Sequence, residues 1–164
     1  IRTLESPMHL ALWETLGANP TPMAWGEVIP ALRQGVIDGQ ENAWWVLDDL
    51  KVFEVQKYGT DTGHVYQPLV VVFSQAAWSG LAADEQEAVT RAAADAQAFN
   101  REEMRSQDAE HLAALKGKVD ITILTPEQRE KWVEAVAPVY DRFADEIGAD
   151  LVADARTTLA ACGE

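Results

Sequence analysis

Residues 17–45, GANPTPMAWGEVIPALRQGVIDGQENAWW, leave the backbone few alternatives, because turn punctuation, one short helix and a cluster of indoles and amides share a single stretch. Pro20 and Pro22 each fix their own φ and push the preceding residue away from the α region, so this part of the chain runs extended. From Gly26 to Gln34 the apolar residues Val28, Ile29, Ala31 and Leu32 recur at helical spacing, and Gly35 follows as a stop. Val36-Ile37 and Asp38-Gly39 read as a very short strand and a turn. Gln40, Glu41 and Asn42 then set polar groups directly against Trp44 and Trp45, which is the chemistry of a small-molecule site: an apolar aromatic body with a few placed polar groups.

Around this stretch the pattern alternates between helix and strand. Arg2 to Leu4 reads as a strand edge, and Ser6 and Pro7 as the cap and first turn of a helix from Met8 to Leu16. A further helix starts near Asn42 and runs to Leu50. Tyr66 to Ser74, YQPLVVVFS, is a continuous valine-rich run of the kind found in strands covered on both faces. A long helix is expected from Asp84 to Lys116, ended by Gly117; its apolar positions drift out of heptad register around Arg101 to Gln107, which argues against coiled-coil pairing. Val119 to Leu124 alternates as a half-buried strand does, and Thr125-Pro126-Glu127-Gln128 is a capping box for a helix whose apolar face is Trp132, Val136, Val139, Tyr140, Phe143 and Ile147. A last helix covers Leu151 to Leu159.

Charge narrows the partners. With 27 acidic and 13 basic residues the 164-residue chain carries a net charge of -14, which disfavours nucleic acid and anionic membrane surfaces. The longest apolar strand, Leu69 to Phe73, is far shorter than a membrane span. Cys162 is the single cysteine and reads as an incidental free thiol. His9, His64 and His111 show no metal-ligand spacing, no nucleophile or phosphate-loop motif is present, and the acid pairs Asp48-Asp49 and Glu102-Glu103 read as solvated helix faces. The expectation is therefore no enzyme, no metal and no cofactor. The alanine- and glutamate-rich segment 83–116 leaves one alternative, a helical interaction or scaffold module without a small-molecule ligand, although that leaves the tryptophan-rich region unexplained.

PTPMAWGEVIPALRQGVIDGQEN, followed by FEVQKYGTDTGHVY at 53–66, closely resembles the solute-binding receptors of TRAP transporters, the DctP family. The resemblance implies an α/β fold, the two-lobe architecture of periplasmic binding proteins. It also implies receptors roughly twice this length, so that the chain, which begins Ile1-Arg2-Thr3-Leu4, is expected to be the second half and to lack the N-terminal half. On this basis residues 1–67 are the second-lobe part carrying the ligand motifs, 68–118 a strand and long helix that cross back to the first lobe, and 119–164 the return to the second lobe. The implied role is a periplasmic receptor that captures a small organic anion and passes it to the membrane components of the transporter.

The same resemblance points to individual residues. Arg2 stands where the family has an arginine that grips the ligand carboxylate, and its planar fork of donors meets a carboxylate bidentately, as lysine cannot; a surface pair with Glu5 is the plain alternative. Asn42 matches the asparagine of the GQEN motif, with a helix N-cap as the other reading. Trp25 takes the aromatic position after PTPM, where phenylalanine is more usual, against simple core packing. Trp44 and Trp45 follow a motif where the family usually has proline, and are the next candidates for ligand contact. Glu41 and His64 are expected to form a supporting network behind the carboxylate, His64 being otherwise a satisfied core histidine, and Tyr66 and Gln67 are candidate cleft residues.

Overall fold

A computed structural model describes residues 1–66 and 68–161; Gln67 and Cys162 lie outside the described residues. Thr125 and Gln128 form the expected capping box: the Gln128 N–H donates to Thr125 Oγ1 at 3.3 Å and the Thr125 N–H to Gln128 Oε1 at 2.9 Å. Such local signals place most elements. In chain order they are β1 (Arg2–Thr3), α1 (Pro7–Thr15), β2 (Thr21–Pro22), α2 (Trp25–Gln34), α3 (Trp44–Asp49), a 3₁₀ turn (Val52–Glu54), β3 (Tyr58–Asp61), α4 (Gln75–Ser79), α5 (Ala83–Leu115), β4 (Asp120–Ile123), α6 (Pro126–Ile147) and α7 (Ala149–Ala161). Gly35, at φ 69°, takes the left-handed conformation that ends α2. Ser6 sits at the N-cap of α1, but its side chain makes no capping bond.

The strands form two small parallel pairs. β1 pairs with β2, Arg2 opposite Thr21, and a further bridge joins Arg2 to Gln40. β3 pairs with β4, Tyr58 opposite Asp120 through Asp61 opposite Ile123. The core gathers Val28, Ala31 and Leu32 of α2, Ile37, Trp44, Val46 and Leu47 around α3, then Val52, Leu115 and Val119. α1 packs against α6, and α3 against α5.

Several expectations are corrected. Residues 68–74 form no strand, and Leu69 to Val72 are between 77% and 90% exposed, because among the described residues no strand lies beside them to take up their backbone groups. Val36-Ile37 is no strand either; the bridge forms instead at Gln40, while Ile37 turns into the core. β3 and α4 were not expected from the sequence. Helix α5 is as long as predicted, started by the Glu85 carboxylate accepting the Ala82 N–H at 2.7 Å, yet its Phe99 is exposed and burial is reached only at Leu115.

Burial predicts where this chain is sensitive. Leu115 is fully buried in the core cluster where α5 packs on α3, and Leu115→Ala should cost about 2–5 kcal/mol in urea unfolding. Val71→Ser in the same chain should change stability by less than about 0.5 kcal/mol.

Candidate functional site

Arg2 is held by backbone on both sides. β2 lies along one edge of β1, and on the other the Arg2 N–H donates to the Gly39 carbonyl at 2.8 Å, beside Gln40. The residue is 3% exposed, and burial lowers its pKa while the carboxylates of Glu41 and Glu5 raise it. Its Nε and Nη2 both donate to the Met23 carbonyl, at 2.9 and 2.7 Å, and the guanidinium lies 5.7 Å from the centre of the Trp25 ring. One edge of the fork is thus committed to the PTPM turn. Among the described residues Nη1 makes no hydrogen bond and Arg2 no salt bridge, so the surface pair with Glu5 does not form.

Next to Arg2 opens a cavity of about 910 Å³. Of the expected site residues, Glu41, Asn42, Trp44, Trp45 and His64 line it, together with Gln40, while Arg2 and Trp25 sit against one another outside the lining. The link between the two groups is short: Gln40 pairs with the Arg2 backbone and accepts a hydrogen bond from Asn42 Nδ2 at 2.6 Å. Asn42 is exposed and is no N-cap; Ala43 takes that position in α3, without a side-chain bond. Trp44 is buried, with Nε1 donating to Asp61 Oδ1 at 3.4 Å, and Trp45 is 40% exposed. Tyr66 is almost fully exposed and does not line the cavity.

Three polar side chains gather around the Glu41 carboxylate, those of His9, His64 and Thr3. His9 Nδ1 lies 3.3 Å from one carboxylate oxygen and His64 Nε2 3.3 Å from the other, both without hydrogen-bond alignment, and Thr3 Oγ1 donates to Glu41 at 3.5 Å. The second ring nitrogen of His64 meets Thr62 Oγ1 at 2.7 Å, and its ring packs edge-on against Trp13 at 5.4 Å. Trp132 completes the aromatic group, 5.9 Å from Trp13 and 5.8 Å from His64. Sequence reading missed His9, Trp13 and Trp132. His9 and Trp13, four apart on α1, carry one weak signal, a polar and an aromatic group on a single helix face.

Asp48 also departs from the sequence reading. Instead of facing solvent with Asp49, it takes His111 Nδ1 at 3.1 Å on one oxygen and Lys118 Nζ at 3.1 Å on the other, tying α3 to the end of α5. Asp48, Asp49 and His111 stand close together, and Lys118 pairs with Asp48 alone. The hydrogen bonds from His111 and then from Lys118 hold the Asp48 carboxyl below its usual range.

The pattern of the bacterial extracellular solute-binding proteins of family 7 matches residues 1–146. A solute-binding protein of Verminephrobacter eiseniae is 38% identical over 148 residues, 90% of this chain and 44% of that protein. The C4-dicarboxylate-binding periplasmic protein DctP of Vibrio cholerae is 36% identical over 152 residues, 92% of this chain and 46% of its own length. Among solved structures, a TRAP periplasmic solute-binding protein of Ralstonia eutropha H16 with bound (S)-2-acetolactate superposes at a TM-score of 0.89 with 33% identity, over 97% of this chain and 52% of that one. The chain belongs to this family, the DctP family, whose members are transport binding proteins and not enzymes. Its α/β fold is that of TRAP periplasmic binding proteins, and it spans about half the length of the relatives it matches.

The Asp48 contacts predict an acid-side dependence of stability. Its folded pKa lies below the ordinary 3.8, so the contribution is complete above that value and is lost as pH falls through the folded pKa. Asp48→Asn should therefore lower the melting temperature at pH 7, and the variant and parent curves should converge below about pH 3.8. A gap that persisted unchanged at pH 2.5 would contradict this.

Proposed function

We propose that this chain is about half of a periplasmic receptor that binds a small organic acid between two lobes and delivers it to the membrane components of a TRAP transporter. The observation that carries the reading is the Arg2 fork: one edge clamped on the Met23 carbonyl beside Trp25, and Nη1 with no partner among the described residues. A guanidinium fixed in this way presents donors without further ordering, and a charge-assisted bond to a carboxylate contributes about 1.5–3 kcal/mol. Two similar proteins, one named for C4-dicarboxylates and one solved with acetolactate, support a carboxylate as the ligand class.

In this reading residues 1–67 and 119–164 build one lobe, and 68–118 cross to the other. Two observations support it. The apolar run Leu69 to Phe73 is exposed, and along α5 Leu115 alone is buried among the described residues. Both are accounted for by a lobe that corresponds to the portion of the relatives this chain does not span. The ligand favours the closed arrangement only by contacts it makes better there. Glu41, with His9 and His64, orients the polar face of the site, Asn42 adds an uncharged donor, and Trp25, Trp44 and Trp45 supply its aromatic walls.

In the full-length protein, a thermal-shift screen with organic acids should identify an acid that raises the melting temperature. Arg2→Ala should weaken its binding in titration calorimetry by at least about tenfold, with Arg2→Lys restoring little. Unchanged affinity in both variants would remove Arg2 from the site. The 164-residue chain alone should bind the same acid far more weakly than the full-length protein; submicromolar binding by it would contradict a site completed by a second lobe.

A further inference from the structure

Trp44 is both part of the core and a wall of the cavity, so whatever fixes its ring fixes that wall. On β3, Gly59 and Asp61 are two residues apart and share one face of the strand. The indole lies across this face, with its Nε1 end at Asp61, 3.4 Å from Oδ1, and its far edge over Gly59. A Cβ at position 59 would stand 3.0 Å from Cη2 and 3.1 Å from Cζ3 of Trp44, and 3.5 Å from Cγ1 of Val119. Gly59 is not among the glycines with positive φ, so its backbone accepts any residue. The need for glycine here is therefore one of space.

We propose that Gly59 is a positioning residue for the cavity: its missing side chain is the floor on which the Trp44 indole rests, and any larger residue displaces that wall. Trp44 is 9% exposed and packed in the core cluster but also lines the cavity, so a methyl group at position 59 moves the ring by a few tenths of an ångström and strains the bond to Asp61. This inference rests on packing alone and stands or falls apart from the ligand reading.

The test uses Gly59→Ala, Trp44→Phe and the double variant in the full-length protein. Phenylalanine lacks the outer ring carbons that a Cβ at 59 would strike. Gly59→Ala should lower the melting temperature, and in the Trp44→Phe background the same change should lower it by less than about half as much, the non-additivity expected of residues in contact. In NMR spectra the Trp44 indole N–H resonance, identified by its loss in Trp44→Phe, should move in Gly59→Ala more than the indole resonances of the other tryptophans. Additive losses of melting temperature, or an unmoved Trp44 resonance, would overturn the proposal.

Discussion

The contact of the Arg2 guanidinium with the Met23 carbonyl is the constraint on which the site depends. Taking a guanidinium out of water is costly unless its donors are met. Here two of them are met by one backbone oxygen, and the ring of Trp25 covers a face. The contact in turn requires the extended PTPM segment to lie beside β1, which the prolines enforce and the parallel pairing of Arg2 with Thr21 and Thr3 with Pro22 fixes in register. Three pieces of chain, 1–3, 21–25 and 39–42, are brought together around one cation.

In the proposed reading, an acidic protein that binds an anion needs a local exception to its own field. Arg2 supplies the positive charge, and the nearest carboxylate of the network, Glu41, is occupied from both sides by His9 and His64 and bonded by Thr3. Glu41 thus lies between two imidazoles, while Asn42 beside it is tied to Gln40 and stays exposed. The aromatic residues divide in the same way: Trp13, Trp132 and His64 brace one another, Trp44 is fixed on β3, and Trp45 remains the accessible ring.

Where local chemistry decides structure, the sequence was readable. Thr125 to Gln128 capped the helix it announced, Gly35 ended α2, and the prolines held 21–22 extended. The resemblance carried by PTPM and GQEN correctly indicated the family and the fold. The errors arise where a partner distant in sequence decides. Leu69 to Phe73 reads as a buried strand because its own composition is apolar, but a strand exists only beside another, and this one is exposed. Tyr58 to Asp61 has little local strand signal and forms β3 because β4, some sixty residues on, pairs with it. The apposition of His9 and Trp13 with His64 and Trp132, and of Asp48 with His111 and Lys118, is likewise a product of packing between elements that no local spacing records.

The most direct test is a crystal structure of the full-length protein bound to an acid that raises its melting temperature. The acid's carboxylate should lie on the Nη1 side of Arg2, within hydrogen-bond distance, with Nε and Nη2 still donating to the Met23 carbonyl and Asn42 beside it. A carboxylate bound elsewhere, or an Arg2 side chain that has left Met23 to reach it, would contradict the pre-set fork on which this account rests.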